Sequence, residues 1–209
     1  MDTLFKAAAI ISALFLSACS EAPTVATTAS KAPETTAPAA PPEAIAAKSA
    51  FYSMYKPART WAADLLPISM VPGEVAGVKN EGGKAGSWTA VFVSPSRREA
   101  RTYMYAVADA SGKATGSVST APPQVWTGTT RDSQPFQTTD FVINSDAAYQ
   151  TAIEKAGPWV KKHPDKKLTY SLASAARFPA PVWFFMWGDR KLGYAVFVNA
   201  TTGAVIAGK

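Results

Sequence analysis

Hydrophobic positions fall into three regimes along the chain. Residues 7–16, AAAIISALFL, form one unbroken apolar run, and residues 20–48 contain no aromatic residue and are rich in Ala, Pro and Thr. From Phe51 onward, apolar positions recur with regular spacing. Two stretches there have helical periodicity, 49–66 and 145–162. In the second, Ser145 is placed to cap the helix, Asp146 suits its first turn, and Ala148, Ala152, Ile153 and Ala156 share one face before Pro164 ends it. Pro57 interrupts the first, marking a start or a kink, with Trp61, Leu65 and Leu66 turned toward a sheet. Period-two alternation marks the strands. Trp183, Phe185 and Trp187 share one face and Phe184 and Met186 the other; Tyr103, Tyr105 and Val107 likewise oppose Met104 and Ala106. Further strands are predicted within 68–79 and 167–175.

These elements recur. Residues 86–118 and 181–208 each run from a Trp through an apolar strand, a basic turn, a Tyr-led second strand and a Gly-containing turn into a short last strand. Trp88 matches Trp183, Tyr103 matches Tyr194, Val107 matches Val198 and Gly112 matches Gly203. A helix precedes each. The expected fold class is therefore α+β: two tandem two-layer units, each a helix packed on an antiparallel sheet, spanning 49–130 and 131–209.

The apolar run at 7–16 is too short to span a bilayer as a helix, which takes roughly 20 residues, but it suits the core of a secretory signal. It ends in Leu16-Ser17-Ala18-Cys19, which resembles the lipobox of bacterial lipoproteins. That resemblance implies a signal peptide at 1–18, diacylglyceryl attachment to the Cys19 thiol and cleavage before it. Membrane lipid would then be one partner, through acylated Cys19. Ser20, where Asp would favour inner-membrane retention, implies the outer membrane, facing the periplasm. Residues 19–48 then form a semi-extended tether, with some helix permitted near 43–50.

The C-terminal segment from Gly193 to Ile206, GYAVFVNATTGAVI, resembles the closing hairpin of PepSY domains, with Asn199 where that family commonly has Asp. The helix at 146–157 suits the same family. The resemblance covers roughly 140–208 and extends to 50–120 only through the repeat. It implies a small exported module linked with peptidase inhibition or envelope regulation, not with catalysis.

Composition narrows the chemistry. Of 209 residues 47% are hydrophobic and 17% charged, which argues against a chain disordered throughout. One Cys and one His exclude internal disulfides, thiolate zinc clusters and His-rich metal sites, and no cofactor is implied. His163 lies in KKHPDKK, a polar connection where an exposed loop role is expected. No HExxH, GxSxG, P-loop or GxGxxG pattern occurs. The net charge of +6 concentrates at Arg97, Arg98 and Arg101, and at Lys161, Lys162, Lys166 and Lys167. These are solubilising loop charges or a surface for lipid headgroups, cell-wall polymers or an acidic partner. Nucleic acid is not expected for an exported lipoprotein. Arg97, Arg98, Arg101 and Trp187 form the candidate binding surface, and no catalytic or metal residue is expected. The leading expectation is a non-enzymatic envelope module binding an unidentified envelope protein, such as a peptidase. The alternatives are an outer-membrane assembly lipoprotein and, third, an envelope hydrolase with a spatially assembled acid site.

Overall fold

The computed structural model describes residues 41–206. The expected signal peptide, Cys19 and most of the tether therefore lie outside the described residues. A short strand β1 (Ile45–Ala46) leads into α1 (Ala47–Trp61), so regular structure begins four residues before 49. Ala47, Ala50, Phe51, Met54 and Ala58 form the buried stripe of α1 at helical spacing. Pro57 lies inside α1, one turn before its end, and neither starts nor stops the helix.

Five strands follow: β2 (Leu66–Gly73), β3 (Lys84–Ala85), β4 (Ser87–Ser94), β5 (Glu99–Ala108) and β6 (Ala114–Thr120). After a short β7 (Gln124–Val125) and a connection come α2 (Ser145–Lys162), β8 (Leu168–Ala173), β9 (Val182–Trp187), β10 (Tyr194–Asn199) and β11 (Val205–Ile206). The expected bounds of α2 match. Its N-cap, however, is Asn144 and not Ser145. The Ser145 hydroxyl accepts instead from the amide of Ala47 at 2.9 Å, and Asn144 Oδ1 accepts from the amide of Lys48. The start of α2 thus supplies acceptors for the free amides at the start of α1.

The main sheet runs β11-β10-β9-β8-β2-β4-β5-β6, with β7 also paired to β5 and every pairing antiparallel. The sequence suggests a separate sheet for each unit. The strands instead join into one sheet, because β2 and β8 pair directly at Ser69 with Ala173 and Met70 with Leu172. The fold is α+β, two helices on one large antiparallel sheet. Reading outward from the β2–β8 seam, the main-sheet strands on each side follow chain order after a helix: β2, β4, β5, β6 on one side and β8, β9, β10, β11 on the other, with β3 paired apart to β1.

Both helices cover the same face, and the core is continuous across the seam. Trp88 and Trp183 are fully buried with ring centroids 6.3 Å apart. Trp88 Nε1 donates to the carbonyl of Ile45 at 3.0 Å, and Trp183 Nε1 to that of Ile143 at 2.9 Å. In both cases the acceptor lies two residues before the first residue of a helix. The Gly turns correspond as well, with φ of 82° at Gly112 and 79° at Gly203. Asp109 Oδ1 accepts the amides of Ser111 and Lys113, as Asn199 Oδ1 accepts those of Thr201 and Thr202. Asn199 thus serves as a turn cap, as Asp109 does in the other hairpin, but without charge.

Candidate binding face

The helices cover one face of the sheet, and alternation decides what the other face presents. In β9 the helix-side core takes Trp183, Phe185 and Trp187, leaving Phe184 and Met186 outward, with Val182 buried at the strand start on that outward face. Register then sets Phe184 opposite Phe197 and Met186 opposite Ala195 on β10. Their two phenyl rings lie 5.0 Å apart. The connection from β8 to β9 folds Phe178 onto the pair, 5.2 Å from Phe197. It is held by backbone bonds from Gln134 to Ser174 and from Ala176 to Arg131.

These side chains line a trough of about 830 Å³ on the outer face, with Ser171 and Thr169 on its floor and Asp132, Asp189 and Arg190 at its rim. The Arg177 guanidinium lies over Phe178 at 4.7 Å and over Phe197 at 5.5 Å. Stacking fixes the cation beside an apolar surface, and no ion pair to it is present among the described residues. The remainder of this face differs in character. Thr89, Met104 and Ser119 align across β4, β5 and β6, as do Ser87, Ala106 and Ser117. Small and polar residues dominate there, with Met104 and Val71 as exposed apolar exceptions.

The structure does not bring the predicted surface residues together. Cys19 lies outside the described residues. Arg97 and Arg98 are exposed on the turn between β4 and β5, where Arg98 has a φ of 54°. Arg101 points to the helix side. It is half-buried, its Nε donates to the carbonyl of Ala121 at 3.3 Å, and its guanidinium packs near Trp61 and Tyr103. It therefore seals the core margin and does not extend the Arg97–Arg98 surface. Trp187 is only 3% exposed, packed between Phe185 and Tyr149, so it belongs to the core and to no surface. The alternation that pairs it with Trp183 places it there. His163 also departs from expectation: it caps α2, half-buried and stacked on Trp159 with ring centroids 4.1 Å apart.

Phe197, Phe178 and Arg177 are the residues the sequence reading missed. Phe184 and Met186 were legible as the face opposite Trp183, but their partners depend on register and on a loop. One further pattern, Ser53-Met54-Tyr55-Lys56, has the spacing of some acyl-transfer sites. It lies in α1, where the Ser53 hydroxyl donates to the carbonyl of Ser49 and not to Lys56. Among the described residues no cluster of His, Cys, Asp and Glu could hold a metal ion, and no helix is long and apolar enough to cross a membrane.

The turn bearing Arg97 and Arg98 is clasped from the end of α1. Asp64 accepts from the Ser94 hydroxyl at 2.6 Å and from the Ser96 amide at 2.8 Å. Those bonds, the Ser94 hydroxyl foremost, hold its carboxyl down at about 2. A depressed acid stabilises the fold above its ordinary value of 3.8, and that stabilisation is lost as pH falls toward about 2. Asp64→Asn is expected to flatten the loss of stability over that interval, read as the denaturant midpoint against pH. An unchanged acid limb would show that Asp64 does not clasp the turn.

No protein-family model and no curated protein matches the chain. Among solved structures, a candidate lipoprotein from Clostridium difficile 630 aligns at 9% identity with a TM-score of 0.44, over 75% of this chain and 90% of that one. That likeness is too distant to carry an argument about fold or activity.

Proposed function

We propose that this chain is a lipid-anchored envelope protein, held at the outer membrane through acylated Cys19, whose folded part is a non-catalytic protein-binding module. The observation that carries the binding reading is the aromatic trough on the sheet face away from the helices. Phe178, Phe184 and Phe197 offer apolar area that a partner would remove from water, and Arg177 stands beside them as a fixed cation. An extended segment of an envelope protein, carrying an apolar side chain next to a carboxylate, matches that arrangement. A peptidase is the partner class favoured by the likeness to PepSY domains. Tandem PepSY-like units are part of the same proposal. The mirrored strand order about the β2–β8 seam, the matched Trp-to-Ile bonds and the paired Gly turns support a duplication.

The test is affinity capture from detergent-solubilised envelopes with the full chain and with Phe184→Glu. A stoichiometric partner retained by the parent chain, lost with Phe184→Glu and kept with Arg97→Glu, is the expected result. Equal capture by all three, or turnover on a panel of envelope substrates without a partner, would overturn the binding reading. Cys19→Ser is expected to abolish acylation and release the chain into the soluble fraction; a variant still carrying lipid would refute the anchor.

A further inference from the structure

Beside the trough, whose rim includes Arg190, one end of the sheet gathers charge from three elements. Lys161 and Lys162 close α2, Lys166 and Lys167 precede β8, and Arg190 and Lys191 occupy the turn between β9 and β10. The fold makes these one surface: the Gly188 amide donates to the Lys167 carbonyl at 2.9 Å. Lys161 and Lys162 also oppose the helix dipole, but the other four cations belong to other elements, and the helix does not account for them.

The carboxylates nearby are already engaged. Asp189 Oδ1 accepts the amides of Lys191 and Leu192, and these bonds hold its carboxyl below the usual range. Asp165 pairs with Lys166 at 3.5 Å. Six cations against two carboxylates leave an excess of four at this end, most of the chain's net +6.

The turn projects Leu192, 71% exposed, directly after Arg190 and Lys191. Behind the cations, Trp159 sits half-buried between His163 and Tyr194, its ring 5.9 Å from that of Tyr194. A protruding leucine next to Arg190 and Lys191, on an end of the fold that also carries four lysines, a Trp and a Tyr, has the chemistry of an interfacial contact: apolar tip into the headgroup boundary, cations on phosphates, aromatic rings at the water side. We infer that the β9–β10 turn and the end of α2 form a docking surface for an anionic lipid bilayer. It adjoins the trough at Arg190 but does not use its phenylalanines, and the lipid anchor would only hold it near its target. Docked in this way, the folded part would lie in a fixed orientation against the membrane.

The test uses the full chain with Leu192→Cys carrying an environment-sensitive fluorophore, mixed with phosphatidylcholine vesicles containing nitroxide lipid, with or without phosphatidylglycerol. A matched probe at Val125→Cys, a site 82% exposed on the far side of the sheet, is the control. Quenching at position 192 that needs phosphatidylglycerol, falls at high salt and is absent at 125 is expected. Adding Arg190→Glu and Lys191→Glu should weaken it by about thirtyfold or more. Equal quenching at both positions, no dependence on phosphatidylglycerol, or no effect of the charge reversal would overturn the proposal, even if the same cations captured an acidic protein. Flotation with phosphatidylcholine alone reports the Cys19 anchor separately, so failure of one reading does not mask the other.

Discussion

Trp183→Ala should destabilise the protein by about 3–5 kcal/mol, the range for removing a fully buried aromatic side chain, and unfold both halves of the sheet together. The indole is fully buried, packed against Phe141 at 5.8 Å, Trp88 at 6.3 Å and Phe185 at 6.3 Å. Truncation leaves a cavity and strands the Ile143 carbonyl, whose donor is Trp183 Nε1. The contact with Trp88 crosses the β2–β8 seam, so damage on one side reaches the other. Trp88→Ala should have a similar cost. In a double-mutant cycle the pair should couple by about 0.5–1.5 kcal/mol, the range for aromatic contacts. Denaturant unfolding followed by both far-ultraviolet circular dichroism and fluorescence checks this. Two separate transitions, or strictly additive losses, would mean that the halves fold as independent units despite their shared core.

The seam also marks where sequence reasoning stops. Local signals carried far: Pro164 and the Ala148, Ala152, Ala156 stripe placed α2, and alternation sorted Trp183, Phe185 and Trp187 from Phe184 and Met186. Periodicity assigns faces but does not say which face is buried, and Trp187 was misplaced for that reason. The same alternation groups Arg101 with Tyr103 and Tyr105, yet a cluster of three arginines reads as surface until the fold shows Trp61 beneath one of them. Strand neighbours are less legible still. No spacing in 68–79 or 167–175 indicates that Met70 meets Leu172, and only that pairing turns two hairpin systems into one sheet. Ser145 failed for a related reason. Its hydroxyl is well placed for a local cap, but the amide it receives belongs to Ala47, at the start of the other helix.

That junction of helix starts carries the second large effect, because Gly83 packs against it. Gly83→Ala is expected to destabilise by about 2–4 kcal/mol, combining left-handed backbone strain with overpacking. Gly83 has a φ of +78°, where a Cβ meets its own backbone. It also lies against the first residue of α2: a Cβ there would sit 2.8 Å from the Ser145 carbonyl carbon and 2.9 Å from Tyr149 Cβ. Backbone cannot swing aside as a long side chain can, so α2 or β3 must shift. Moving Ser145 withdraws the acceptor from the Ala47 amide, and β3 is paired with β1 just before α1, so both helix starts are disturbed at once. Gly82 supplies the comparison. Its φ is +60° but nothing lies near its missing Cβ, so Gly82→Ala bears only the strain, about 1 kcal/mol. The difference between the two alanine variants, measured by equilibrium unfolding, isolates the contact with α2. Equal costs would mean that the approach of the β3 loop to Ser145 is looser than this geometry requires. A larger cost at Gly83 would identify the meeting point of the two helices, and not either hairpin alone, as the joint holding the paired halves in register.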